Sequence, residues 1–142
     1  IKSHVDNIKP DLIITHSPLD YHSDHVNLSK ILKNIANHYI PILYCDTMMG
    51  INFLPNYYVD ITKFFKKKQK SILCHKSQKP ERFSKLSELM NRFRSAQCNA
   101  PNNNYAEAYY FQPSFPYSDI RDLLPNSPKI RSFNISKLNG FL

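Results

Sequence analysis

The segment Asp11-Leu-Ile-Ile-Thr-His16 constrains the fold more than any other stretch of the chain. It is short, apolar and partly β-branched, and Pro10 and Ser17-Pro18 bound it, which is how a buried parallel strand reads. A polar stretch from Ser17 to Asp24 links it to residues 26–39, where Leu28, Ile31, Leu32 and Ile35 recur at helical spacing. Strand, polar loop and helix make half of a βαβ unit. Upstream, Ile1, Val5 and Ile8 keep a helical stripe that Pro10 ends, so the first residues read as the last turns of a helix whose start is missing.

Downstream the alternation continues. Ile40 to Tyr44 is a second apolar run, followed by a loop around Met48, Met49 and Gly50. Tyr57, Val59 and Ile61 alternate with Tyr58 and Asp60, the period-two pattern of a strand. Asp60 or Thr62 is placed to cap a helix running to about Ser77. Pro80 suits the first position of another helix, whose apolar stripe is Phe83, Leu86, Leu89, Met90 and Phe93. Asn99 to Asn104 reads as a loop and Tyr105 to Gln112 as β-rich. After Pro113 the chain is punctuated by proline, with one helical turn at Asp119 to Leu124. Strands alternating with helices predict an α/β domain with a mainly parallel sheet flanked by helices. The expected domain covers residues 1–125, and residues 126–142 are expected to form an irregular tail.

A chain of 142 residues, 42% of them hydrophobic, has material for one core. The net charge of +8 invites a polyanionic partner. Much of that excess lies in Lys63, Lys66, Lys67, Lys68 and Lys70, which a solvated helix face explains. Two glycines in the whole chain leave no glycine-rich phosphate loop, and no zinc-finger, RRM-like or helix-turn-helix pattern is present, so a nucleic-acid partner is not expected. The sequence shows no apolar run long enough to span a bilayer and no secretory signal pattern. Cys45, Cys74 and Cys98 are odd in number and widely spaced, which fits a reducing compartment, the cytoplasm.

The densest cluster of metal-competent side chains is Asp20-Tyr21-His22-Ser23-Asp24-His25, directly after the strand ending at His16. Open α/β sheets bind ligands beyond the carboxyl ends of their strands, where this cluster stands. Two imidazoles flanking a carboxylate suit a site in which one His binds zinc and another acts on the substrate. Zinc takes a neutral imidazole nitrogen at about 2.0 to 2.1 Å, and a nearby Asp fixes the tautomer by accepting the other N–H. The plain alternative is a His-rich loop that caps the next helix, with Asp24 as N-cap and His22 exposed.

Pro10-Asp11-Leu-Ile-Ile-Thr-His16 followed by Pro18, Asp20, His22, Asp24 and His25 resembles the LmbE/PIG-L family of zinc-dependent N-acetylglucosaminyl deacetylases. Tyr58-Val-Asp-Ile-Thr62, the Lys-rich helix to His75-Lys-Ser-Gln78, and Ala106-Glu-Ala108 look like later landmarks of that family in the same order. The resemblance covers roughly residues 1 to 112 and implies a Rossmann-like sheet whose N-terminal strands are missing here. By its motif, His25 is a zinc ligand, His22 stabilises the oxyanion or protonates the leaving amine, and Asp24 orients His22. Tyr21 and Asp20 are expected at the substrate. Ser23 replaces the family's usual Pro. The family's His-Pro-Asp-Asp-Glu motif, which supplies two further zinc ligands and the general base, does not occur in the sequence.

The resemblance therefore implies a fragment, or a degenerate copy, of a hydrolase that removes acetyl from an N-acetylated sugar or sugar conjugate. One histidine cannot hold catalytic zinc alone, so this chain by itself is expected to be inactive. A catalytically inactive carbohydrate- or partner-binding module of the same fold is the alternative, and a homo-oligomer remains open.

Other residues have two readings each. His75 and Gln78 either fix a helix end or approach the pocket, and Glu107 either faces solvent or lines the pocket. Tyr21 either bonds a tetrahedral intermediate or packs over the next helix. Tyr105, Tyr109, Tyr110, Phe111 and Phe115 either stack on sugar rings or pack within the protein. His4, His16 and His38 have ordinary explanations as a surface position, a strand end and a helix C-terminus.

Overall fold

The computed structural model describes residues 1–37, 39–116 and 119–132. The helix expected at the start is α1 (Lys2–Ile8), which ends at Lys9 in the left-handed region, φ 50°, and buries none of its residues. Strand β1 (Ile13–Thr15) follows, then α2 (Ser23–Ala36) and β2 (Ile42–Cys45). β1 and β2 pair in parallel with Ile13 opposite Ile42, so the half-unit anticipated from the sequence is a βαβ unit. The loop after β2 contains a 3-10 turn at Met48–Gly50 and leads to β3 (Tyr57–Asp60).

Two helices in succession, α3 (Phe65–Leu73) and α4 (Pro80–Gln97), precede β4 (Ala106–Phe111). The Asp60 carboxylate accepts the Thr62 N–H, but a turn through Phe64 intervenes before α3 begins. α3 ends at Leu73, short of the expected Ser77, and Cys74 to Gln78 form turns. Pro80 does occupy the first turn of α4.

The sheet is mixed, in the order β1-β2-β4-β3, and this corrects the expectation of a mainly parallel sheet. Only β1–β2 is parallel; β4 runs antiparallel to both β2 and β3. A single crossover helix returns the chain for a parallel strand. Here two helices separate β3 from β4, the chain reverses once more, and β4 enters between its neighbours in the opposite sense.

The core lies in two linked clusters. Leu43, Phe111 and Ile120 pack with Leu12, Tyr57, Tyr109 and Leu124. Val59, Ile61 and Phe65 pack with Tyr105 and Tyr109, and the Phe65 and Tyr105 rings stack at 3.7 Å. The helical turn expected at Asp119 to Leu124 is present as a 3-10 turn at Arg121–Leu123. Beyond it, residues 126–132 form no helix or strand, yet Asn126 accepts the Asp60 N–H and Pro128 is buried. The rest of the expected tail, residues 133–142, and His38 and Tyr117 lie outside the described residues.

α4 departs most from its pattern. The apolar stripe placed Leu89 and Phe93 inward, but they are 57% and 50% exposed. The buried positions are Pro80, Ser84, Asn91, Arg94 and Ser95, a polar face at the same helical spacing. Small serines allow a close approach, and the two larger polar groups are paired. Asn91 donates to the Ala106 carbonyl at 2.8 Å, and Arg94 donates to both Asp46 carboxylate oxygens at 2.6 and 2.9 Å.

Candidate metal and substrate site

β1 delivers His16 to the carboxyl edge of the sheet, and a tight loop brings the chain back beside it. The Asp20 N–H donates to the Ser17 carbonyl at 3.2 Å, and the Leu19 N–H donates to the Ser17 hydroxyl at 3.1 Å. That turn aims the Asp20 side chain inward, where only 6% of it is exposed. Its two oxygens are both used: one accepts the His22 N–H at 3.0 Å, and the other lies 3.1 Å from His25 Nδ1. Burial by itself raises the Asp20 pKa, but the His22 N–H and the His25 ring outweigh it and hold the carboxyl below its usual range.

With Asp20 ionised, His25 donates through Nδ1 and its Nε2 is left with a free lone pair. The His25 ring stacks on His16 at 3.8 Å, with 5° between the planes, and on His22 at 4.6 Å. Burial, then the neighbouring His25, lowers the His16 pKa, which keeps that imidazole in its neutral, ligating form. Ligand atoms of His16, Asp20 and His25 all lie within 4.8 Å of one another. Two imidazoles and a carboxylate are donors that zinc accepts, so the set fits a borderline divalent ion.

Of the residues selected from the sequence, Asp20 and His25 come together as a donor pair. His16, read there as an ordinary strand end, completes the set. The signal available for it was its position, the last residue of a strand that feeds straight into a His- and Asp-rich loop. His22 caps α2: its Nδ1 accepts the Asp24 N–H at 3.2 Å, which leaves the ring proton on Nε2. Asp24 is not itself the cap. Its carboxylate is 82% exposed and lies 4.0 Å from His22 Nδ1, beyond hydrogen-bond reach, so it orients that ring through its backbone N–H.

A cavity of about 390 Å³ opens beside the donor set. His16, Asp20, Tyr21 and His25 line it from one segment, and Cys45 to Met49 line it from the end of β2. α3 adds Lys68 and Ile72, α4 adds Phe83, Leu86, Ser87, Met90 and Asn91, and β4 adds Glu107 to Tyr109. Tyr21 is exposed, with its hydroxyl 4.0 Å from Met48 Sδ. His22 is not among the lining residues.

Glu107 therefore belongs to the pocket wall, and it is paired. Its carboxylate accepts hydrogen bonds from Lys68 Nζ and the Tyr109 hydroxyl. Burial pushes its pKa up, but Lys68 and Tyr109 outweigh that and hold it below the ordinary glutamate value. Burial, then the Glu107 charge, raises the Tyr109 pKa, and burial pushes the Cys45 thiol up to about 11, so neither ionises near neutral pH. Lys68 thus turns inward from a lysine run otherwise on the surface. His75 and Gln78 are exposed in the turn after α3 and do not line the cavity. Tyr109 lines it, whereas Phe111 is core, Tyr105 stacks on Phe65, and Phe115 is 90% exposed.

No protein-family model and no curated protein sequence matches the chain. Among solved structures, the chain is similar to GalB, the 4-carboxy-2-hydroxymuconate hydratase from Pseudomonas putida KT2440, with a TM-score of 0.67 and 17% identity. The match covers 84% of this chain and 59% of GalB, so this chain spans well under two thirds of that protein's length. At that identity the likeness shows a shared α/β fold.

Proposed function

We propose that the chain carries part of the active site of a zinc-dependent hydrolase that removes an acetyl group from an N-acetylated sugar or sugar conjugate. One observation carries the reading: His16, Asp20 and His25 converge within 4.8 Å of one another beside a cavity of about 390 Å³. The order of landmarks from Pro10 to Ala108 adds the acetyl-sugar class to it.

His25 Nε2 and His16 would hold the ion, with Asp20 either a third donor or the carboxylate that fixes His25. When bound, zinc supplies a polarised carbonyl and a more acidic water. The chain's own residues do the rest. Asp20 keeps the His25 proton on Nδ1. His22 keeps its proton on Nε2, the tautomer that can donate a hydrogen bond to an oxyanion, and its ring lies against His25. The Tyr21 phenol stands at the cavity as a second donor. The residues that supply the general base and further ligands in the resembling family are absent from these 142 residues, so the activity belongs to a protein that also carries them.

The test is acetate release from N-acetylglucosamine derivatives with zinc, by this chain and by a form extended with a His-Pro-Asp-Asp-Glu segment. The expected result is release by the extended form, lost at least a hundredfold in its His25→Ala variant. Full activity of that variant contradicts His25 as ligand. The same donors also suit addition of water to a carbon–carbon double bond, the reaction class in GalB's name; hydration without acetate release would favour that reading.

A further inference from the structure

We infer that the ligand of this pocket is amphipathic, with a polar amide end at the His16–Asp20–His25 set and a short alkyl or aryl group lying along Ile72, Phe83, Leu86 and Met90 under Met48 and Met49. This rests on the reading that the pocket binds substrate, and it names a feature of that substrate. The cavity, at about 390 Å³, has the size that takes drug-sized ligands and exceeds the needs of a two-carbon acyl group.

The distribution of chemistry in its wall carries the argument. The polar and ionisable groups come from β1 and its loop, from the end of β2, and from the Lys68–Glu107–Tyr109 cluster. The α3–α4 contribution is largely apolar, and the polar residues there are already engaged. Ser87 donates to Asn91 Oδ1 at 3.2 Å, and Asn91 donates to the Ala106 carbonyl at 2.8 Å. A sugar ring alone would meet few open partners on that side, whereas an alkyl or aryl group removes its apolar surface from water. Met48 and Met49 are 39% and 40% exposed beside it, and unbranched thioethers adapt to such a group.

Binding of N-hexylacetamide and N-methylacetamide to this chain, followed by NMR titration without metal, tests the inference apart from catalysis. The hexyl compound is expected to bind at least tenfold tighter, a gain of about 1.4 kcal/mol that matches burial of about two methylenes. Met90→Gln and Leu86→Gln are expected to erase the gain, and Leu89→Gln, outside the cavity lining, to keep it. Equal affinities, no binding of either amide, or a gain that survives Met90→Gln and Leu86→Gln overturns the inference. Failure of the deacetylase reading shows differently: the hexyl gain persists, while the zinc-loaded extended protein releases no acetate.

Discussion

Burial, and then charge repulsion from His25, whose ring stacks on it, favour the neutral form of His16. The consequence for stability has a definite sign. With its folded pKa below 6.5, the unfolded chain takes up the proton first as pH falls. Stability is therefore lost from about pH 6.5 downward until the folded value is passed. Asp20 acts in a lower window: its depressed pKa contributes stability that is present above 3.8 and lost as pH falls through the folded value. Urea midpoints at pH 7 and pH 5 are expected to fall in the parent and to change less in His16→Gln; an identical slope in the variant removes His16 as the cause. Thr15, one residue earlier, has a buried hydroxyl with no hydrogen-bond partner among the described residues. Thr15→Val keeps the shape and removes the orphan, so a gain of about 1 kcal/mol is expected in urea unfolding. The residues of this loop were readable from sequence as types at a strand end, but their pairing was not. Neither the stacking of His16 on His25 nor the capping of α2 by His22 rather than Asp24 follows from spacing.

Helix α4 was legible as an element and illegible as a surface. Pro80 marked its start, and its length left no doubt about its type. Its apolar residues suggested an inner stripe, yet Leu89 and Phe93 face outward while Asn91 and Arg94 are buried. A pattern of hydrophobicity does not record that a carboxylate in the loop after β2 will meet a guanidinium from α4. Asp46 of that pair also lines the cavity. Gly50 has φ +69°, and a Cβ there would stand 2.7 Å from Arg94 Nη2, so only glycine lets the loop cross over the pair. Arg94→Met is expected to cost about 3 kcal/mol in urea unfolding, because it leaves the Asp46 carboxylate largely buried without its partner. A loss under about 1 kcal/mol would show the pair to behave as a surface bridge. Element order carried the same limit: β3 and β4 were both legible, but the direction of β4 depends on how α3 and α4 pack, which a strand's own sequence does not encode.

Across the molecule, the first strand, its polar loop and the next helix set the position of the donor cluster, and these were the clearest signals in the sequence. The opposite walls were not, because α3, α4 and β4 reach the same cavity from positions 68 to 109, far along the chain. The described surface near the N-terminus is apolar in places: Ile8 is 72%, Ile14 55% and Ile31 45% exposed. Among the described residues, no helix is long and apolar enough to cross a membrane. The function proposed for this site requires that the convergent side chains hold a metal. Zinc titration of this chain at pH 7.5 against a competing chelator, with His16→Ala, Asp20→Asn and His25→Ala alongside, measures it directly. The expected result is one zinc per chain, weakened at least tenfold by each substitution. No stoichiometric binding, or binding that all three variants retain unchanged, would contradict it.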